Sequence, residues 1–203
     1  MTALRPDLAT ISEWIEPGSR VLDLGCGDGT LLEHLGRTRG VSGYGIEIDD
    51  ESVARCIERG VNVIQRDLDA GLADFDDDAF DYVVMTQTLQ AVRYPHRLLA
   101  EMMRVGRQGI VTFPNFGHWR VRAQLALRGR MPVTGALPAQ WYETANIHLC
   151  TVRDFEALCR ERGWAILQRA MVDTRHRERP WMRLLPNLLG EIALYRVRRD
   201  GGG

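Results

Sequence analysis

Residues 21–30 read Val-Leu-Asp-Leu-Gly-Cys-Gly-Asp-Gly-Thr, a short apolar run that passes directly into a glycine-rich turn. The apolar run predicts a buried strand, and the leucines of residues 31–35 predict a helix behind the turn. Glycines in such a turn let a ligand approach the backbone, and the first amides of the helix attract a negative group. The stretch therefore predicts a strand, a loop suited to ligand binding and a helix, in that order.

The spacing of these glycines argues against a dinucleotide site. A dinucleotide-binding turn follows the pattern Gly-x-Gly-x-x-Gly. Here Gly29 comes one residue too early, and Thr30 stands where the pattern requires the third glycine. Because a glycine turn also occurs where no ligand binds, the loop alone does not separate a binding site from a tight turn.

Two acidic residues follow the next two predicted strands. A carboxylate at Glu47 can accept hydrogen bonds from both hydroxyls of an unphosphorylated ribose. Asp67 can hold an adenine amino group, with Leu68 packed on the ring, because strand topology places it at the same edge of the sheet. Together with Asp23 before the loop, these residues favour a nucleoside ligand over an acidic face that only binds water.

Strands and helices alternate along the rest of the chain. Strands are predicted at 20–24, 41–48, 61–64, 80–85, 109–113, 163–172 and 191–197. The alternation predicts an α/β domain over residues 1–200 with a doubly wound, mostly parallel sheet of seven strands, the last strand antiparallel. Residues 114–150 break the alternation and predict an inserted cap, and the glycines at 201–203 predict a flexible tail.

Composition excludes several classes of protein. The net charge of −1 gives no overall attraction to nucleic acid or to an anionic membrane. A homodimer is compatible with this charge. No apolar stretch reaches the length of a membrane span or has the form of a signal peptide, so we expect a cytoplasmic protein. The spacing of the four cysteines and five histidines predicts no metal site.

Arginine and tryptophan concentrate in the predicted cap and in the connection before the last strand. The arginines are Arg120, Arg122, Arg128, Arg130, Arg175, Arg177, Arg179 and Arg183, and the tryptophans near them are Trp119, Trp141 and Trp181. This composition is typical of protein interfaces, and a solvated face is the simpler alternative. RNA binding is disfavoured because the chain has no excess of positive charge and no recognisable RNA-binding module.

The stretch 21–30 resembles the first motif of class I S-adenosylmethionine-dependent methyltransferases, and the order of elements is similar to theirs. The resemblance implies a Rossmann-like fold and S-adenosylmethionine or S-adenosylhomocysteine as cofactor. It implies that the loop holds the methionine moiety, that Glu47 and Asp67 hold ribose and adenine, and that Thr86 flanks the reactive end. The implied cofactor contacts are Asp23, Gly25, Cys26, Gly27, Gly29, Glu47, Ile48, Asp67, Leu68, Thr86 and Gln87.

From the first strand to the last, the sequence is similar to the MetW family of methionine-biosynthesis proteins. The similarity is carried by Phe-Pro-Asn-Phe-Gly-His-Trp at 113–119, Trp-Tyr at 141–142, and Asn-Ile-His-Leu-Cys-Thr at 146–151 with Asp-Phe at 154–155. Ala145 departs from the proline common in that family, so this loop is less constrained. The resemblance implies a bacterial protein of methionine synthesis that works with homoserine O-acyltransferase.

The sequence leaves two functions open. One is a cofactor-binding partner or regulator of the acyltransferase, which requires an exposed arginine- and tryptophan-rich surface. The other is a methyltransferase for a small-molecule acceptor, which needs a closed acceptor pocket and, for a hydroxyl or amine acceptor, a base. His118, Tyr142 and His148 are candidates because they lie in or beside the cap, although each also has a simple structural role.

Overall fold

The computed structural model describes residues 4–145 and 147–200, so Asn146 and the predicted tail at 201–203 lie outside the described residues. The strands are β1 (Arg20–Leu24), β2 (Ser42–Glu47), β3 (Val63–Gln65), β4 (Phe80–Thr86), β5 (Gly106–Pro114), β6 (Trp164–Val172) and β7 (Ile192–Arg199). The helices are α1 (Pro6–Trp14), α2 (Thr30–Arg39), α3 (Asp50–Glu58), α4 (Pro95–Val105), α5 (Trp119–Arg128), α6 (Val152–Arg162) and α7 (Pro186–Leu189).

The seven strands form one sheet in the order β3-β2-β1-β4-β5-β7-β6. The pairs from β3 to β5 are parallel, whereas β7 is antiparallel to both β5 and β6. The mixed seven-stranded sheet with an antiparallel last strand confirms the predicted fold class. The order reverses between β1 and β4, and open α/β sheets form a ligand crevice beyond the strand ends at such a switch point.

Both faces of the sheet are covered by helices, which is why the central strands are almost continuously apolar. Alternate side chains of β1 point to opposite faces: Val21 packs with α1 and α2, whereas Leu22 and Leu24 pack with α4 and α6. On the second face, Met102 of α4 and Phe155 of α6 belong to the same buried cluster. The core therefore holds the carboxyl ends of β1 and β4 in a fixed position.

Helix α6 begins and ends where its sequence signals predict. The Thr151 hydroxyl accepts a hydrogen bond from the Asp154 amide at 3.2 Å, and the Asp154 carboxylate accepts one from the Thr151 amide at 3.2 Å. This reciprocal capping box satisfies amides that the first helical turn leaves without partners. Gly163 ends the helix with a φ of +65°, a backbone conformation that favours glycine.

Several elements differ from the sequence-based expectation, including α7 at Pro186–Leu189, where no helix is predicted. Helix α5 lies inside the predicted cap and is not expected from the sequence, because of its residues only Val121 is buried and no apolar face marks it. Strand β3 covers Val63–Gln65 instead of the predicted 61–64, since the Val61 amide bonds to the Cys56 carbonyl at 2.9 Å in the turn after α3. Strand β5 begins at Gly106, which pairs with Phe80, three residues before the predicted start.

Candidate functional site

A large cleft opens at the carboxyl ends of β1 and β4, with about 2000 Å³ of open space. Its lining includes six of the predicted cofactor contacts, namely Asp23, Gly25, Cys26, Gly27, Thr86 and Gln87. The opposite wall is formed by α1 and α2, through residues such as Leu8 and Thr30. The space suffices for a nucleoside cofactor and lies at the switch point of the sheet.

The glycine loop is anchored to the second strand. The amides of Gly25 and Cys26 both donate to the Ile46 carbonyl, at 2.8 and 3.1 Å. A Cβ atom on Gly25 would lie 2.5 Å from the Thr88 hydroxyl, so this position has no room for a side chain. Gly27 has a φ of +55° and open space where a Cβ would be, so its backbone faces the cleft without obstruction. The loop thus presents bare backbone to a ligand.

Glu47 ties the end of β2 to this loop. One carboxylate oxygen accepts a hydrogen bond from the Gly27 amide at 2.8 Å. The other accepts from the amides of Ile48 and Asp49, at 2.8 and 3.1 Å. Glu47 is therefore placed beside the glycine loop, as the strand topology predicts, although its side chain does not line the described cleft.

Asp23 is a buried carboxylate at the base of the cleft. It is 1% exposed, and its Oδ1 atom has no hydrogen-bond partner. Burial, reinforced by the negative charge of Glu47, raises the pKa of Asp23 to about 7. A buried acceptor left without a partner is costly, and a cationic ligand group in the cleft would satisfy it. The residues present therefore fit the positively charged methionine end of S-adenosylmethionine.

The other predicted contacts lie around the loop and not in the cleft lining. Asp67 is exposed and caps a short 3₁₀ turn by accepting a hydrogen bond from the Asp69 amide at 2.8 Å. Leu68 is half-buried against the core, and Ile48 is exposed. Gly29 precedes α2 with a φ of +74°, and a Cβ there would lie 3.0 Å from the Cys56 sulfur. Strand pairing still places Asp67 at the edge where Glu47 ends β2.

Sequence reasoning missed the contribution of the first helix. Leu4, Arg5 and Leu8 line the cleft opposite the glycine loop. Their apolar spacing marks a helix but carries no information about which strand edge that helix covers. Arg59 also lines the cleft, where it forms an ion pair of 2.8 Å with Asp28 of the loop.

The three candidate bases lie apart from the cleft lining. His148 Nε2 donates a hydrogen bond to the Arg93 carbonyl at 3.1 Å, and Tyr142 is exposed with its ring edge-to-face against Trp141. His118 is 5% exposed and borders a different cavity. Burial lowers the pKa of His118, which favours its neutral imidazole form. The structure thus brings six of the predicted cofactor contacts together in the cleft lining, and the three candidate bases are not among the residues of that lining.

Comparison with known proteins decides the family. The family model described as "Methionine biosynthesis protein MetW" matches residues 5–197. The chain belongs to the MetW family. Relatives of this MetW chain include a bifunctional methionine biosynthesis protein MetXA/MetW of Rhodopirellula baltica, 35% identical over 97% of the chain and 33% of the relative. The chain therefore spans about a third of that fused protein.

Other similarities place the MetW chain among methyltransferase folds. A ubiquinone biosynthesis O-methyltransferase of Hahella chejuensis is 32% identical over 68% of the chain and 66% of that protein. A crystal structure of an S-adenosylmethionine-dependent methyltransferase from Mesorhizobium loti matches with a TM-score of 0.70 at 17% identity, covering 96% and 98% of the two chains. The fold is that of these enzymes.

Two further features bear on the kind of site. Among residues 4–145 and 147–200, no group of three or more His, Cys, Asp or Glu side chains is arranged to hold a metal ion. In the same part of the chain, no helix is long and apolar enough to cross a membrane.

Proposed function

We propose that this MetW chain binds S-adenosylmethionine in the cleft at β1 and β4 and acts as a partner subunit of homoserine O-acyltransferase. The cofactor part is supported by Asp23, whose unsatisfied carboxylate suits the cationic methionine end, and by the bare backbone at Gly27. Glu47 at the end of β2 is the ribose ligand, and Asp67 with Leu68 holds the adenine.

The fused relative supports the proposed partnership with homoserine O-acyltransferase. In that protein a MetXA part and a MetW part are joined in one polypeptide, and this chain aligns with 33% of it. We take the MetXA part to be the acyltransferase. Fusion keeps two domains at a high effective concentration, which is advantageous when they work as one assembly. A MetW part that is not joined to its partner needs a surface that replaces the covalent link.

An exposed apolar surface meets this need. We define the docking surface as the outward side chains of α5 and of residues 181–185. Leu127 is 85% exposed and Leu184 is 80% exposed. Arg120 lies over the Trp119 ring, with 5.4 Å between the guanidinium carbon and the ring centroid. An apolar centre with arginine and tryptophan beside it is the composition of an interface that another protein covers.

The segments that flank the two parts of the docking surface are in contact. The Asn115 side chain, before α5, donates to the carbonyls of Asn187 and Gly190 at 3.1 and 2.8 Å. A Cβ on Gly117 would lie 2.4 Å from the Asn187 side chain, so the two segments are in close contact. Residues 181–185 directly precede α7, which contains Asn187, and α5 begins two residues after Gly117.

Copurification tests the partner proposal most directly. The acyltransferase of the same organism is expressed with and without this chain, and its rate is measured with and without added S-adenosylmethionine. We expect a stable complex and an acyltransferase rate that depends on the chain. Calorimetry of the purified chain with S-adenosylmethionine tests the cofactor part separately. Absence of a complex together with an unchanged acyltransferase rate would refute the partner role.

The alternative is methyl transfer to a small-molecule acceptor, which the similarity to the Hahella chejuensis O-methyltransferase favours. The positions of His118, Tyr142 and His148 favour the partner role instead, since none of the three lines the described cleft. Release of S-adenosylhomocysteine in the presence of candidate acceptors distinguishes the two functions, because only a methyltransferase produces it at a rate set by the acceptor.

A further inference from the structure

A second, more enclosed cavity lies on the β5 and β7 side of the sheet, with an empty volume of about 450 Å³. Its polar lining is Asn115, His118, Arg120, Thr134, Thr174 and Glu191. It shares no lining residue with the cofactor cleft. The motif at 113–119, which carries the family resemblance, supplies part of its wall, yet the cofactor site makes no use of that motif.

His118 is the polar group that this cavity leaves without a partner. Its side chain is 5% exposed, and within the part of the chain that the structure describes its ring nitrogens form no hydrogen bond. Neither ring nitrogen is among the fully buried polar atoms without a partner, so the ring stays accessible from the open space of the cavity that it lines. A ring nitrogen that is accessible in this way and has no protein partner is free to accept a hydrogen bond from a ligand in the cavity.

Glu191 supplies a negative charge at the same cavity. One of its oxygens accepts a hydrogen bond from the Thr174 amide at 3.1 Å, and the carboxylate forms no ion pair within residues 4–145 and 147–200. Glu191 and His118 line the same cavity, and the charge of Glu191 opposes the effect of burial on the pKa of His118. Arg120, an exposed residue whose guanidinium lies over the Trp119 ring, adds a positive charge to the lining.

The wall that carries His118 is rigid before any ligand binds. The Asn115 amide group donates to two backbone carbonyls and accepts from the Gly117 amide at 2.9 Å and the Val152 amide at 3.3 Å. On the other side, a Cβ on Gly135 would lie 2.7 Å from the Thr174 methyl group, so the two segments close against each other. A preformed cavity lowers the entropic cost of binding.

We propose that this cavity binds a small amino acid. The ammonium group donates hydrogen bonds to the Glu191 carboxylate and to a ring nitrogen of neutral His118, and Arg120 holds the carboxylate. An ammonium group has three donors and no acceptor, which matches the two acceptors that the cavity offers. The amino acid is therefore a second ligand of this chain, separate from the cofactor.

Titration of the full chain with L-serine and L-methionine tests the proposal, with calorimetry for affinity and the NMR signals of the His118 ring for location. We expect at least one of them to bind and to shift those signals. The N-acetyl derivative, which lacks the ammonium charge, should not bind, and the methyl ester, which lacks the carboxylate charge, should bind more weakly.

Glu191→Gln is the matched test of the ammonium contact, because glutamine can still accept the hydrogen bond from the Thr174 amide. We expect it to weaken binding by at least about tenfold, the loss of one charge-assisted hydrogen bond. Glu143→Gln, which changes an exposed acid within the predicted cap, should leave the affinity unchanged.

Three results would overturn the proposal: no binding of either amino acid, equal binding of the N-acetyl derivative or the methyl ester, or binding that Glu191→Gln leaves intact. An amino acid whose binding is lost in Glu47→Gln but retained in Glu191→Gln would occupy the cofactor cleft, which also contradicts the assignment. The outcome does not depend on the acyltransferase, so it is separable from the partner proposal.

Discussion

The carboxylate of Glu47 and the backbone amide of Gly27 are joined by a hydrogen bond of 2.8 Å, which connects the end of β2 to the middle of the glycine loop. The other Glu47 oxygen is held by the amides of Ile48 and Asp49. A ribose that uses the same carboxylate shares it with these amides. The shape of the loop and the binding of the cofactor are therefore coupled through one side chain.

Replacing Glu47 with glutamine is expected to weaken S-adenosylmethionine binding by about 10- to 100-fold, as charge-assisted hydrogen bonds to the ribose become neutral ones. Glutamine keeps one acceptor oxygen for the Gly27 amide, whereas its NH2 group takes the place of the oxygen that accepts from the Ile48 and Asp49 amides. Calorimetry with the purified variant measures the effect. Glu51→Gln, an exposed change on α3, is the control and should bind as the unaltered chain does. Equal affinities in both variants would remove Glu47 from the cofactor site.

Gly27→Ala tests the open backbone of the loop against a control with the same conformation. Gly27 and Gly40 have φ values of +55° and +62°, and at neither residue does any atom lie within 4 Å of the position that a Cβ would take. Each substitution should therefore cost about 1–2 kcal/mol of unfolding free energy. Only Gly27→Ala places a methyl group in the cleft, so only this variant should lose S-adenosylmethionine affinity, by at least about tenfold. A loss of affinity in Gly40→Ala as well would point to a general effect of instability.

Local sequence signals predict much of the fold. The strand, loop and helix at 20–39 follow from apolar runs and glycines, and the capping box of Thr151 and Asp154 marks the start of α6. These signals act over a few residues, so they can be recognised in the sequence without knowledge of the rest of the structure. The position of Glu47 beside the loop is predictable because parallel strands end at the same edge of the sheet.

Features that depend on packing between distant segments cannot be predicted from local sequence signals. Helix α5 buries Val121 alone among its residues, so no periodic apolar face marks it. Leu8 lines the cleft only because α1 packs across the ends of distant strands. The burial of His118 depends on contacts between residues 115–118 and residues 187–191, which the spacing of residues along the chain does not reveal.

Asp23 is expected to make the stability of the ligand-free chain depend on pH. Its pKa is raised from the ordinary value of 3.8 to about 7 in the folded chain, so the folded state holds this proton more tightly than the unfolded state. Stability from this group is therefore present at low pH and is lost as the pH rises from about 4 through 7. The loss between pH 5 and pH 8 amounts to roughly 2–3 kcal/mol.

Urea unfolding of the unaltered chain and of Asp23→Asn at pH 5 and pH 8 measures this contribution. The asparagine variant cannot ionise, so its stability should fall less over this interval, and it should exceed the unaltered chain most clearly at pH 8. If both proteins lose the same free energy of unfolding between the two pH values, Asp23 does not carry the raised pKa.

The docking surface gives the last prediction. Leu127→Asp and Leu184→Asp each place a charge on a side chain that is 85% or 80% exposed, so the isolated chain should keep its stability. In the complex the same charge would be buried in an apolar contact, and we expect each variant to bind homoserine O-acyltransferase at least about tenfold more weakly. Affinity is measured by calorimetry or by binding to the surface-immobilised partner.

Ile57→Asp is the control for these variants, because Ile57 is an equally apolar side chain, 66% exposed, on α3 and away from the docking surface. It should leave the complex intact. The unaltered chain serves as the reference for complex formation, so a failure of the surface assignment is distinguishable from a failure of the partner role. If the unaltered chain binds and both leucine variants bind equally well, the acyltransferase uses a different face of this protein. If Ile57→Asp disrupts the complex as strongly as the leucine variants do, the contact extends over α3 and the cofactor loop next to it becomes part of the interface.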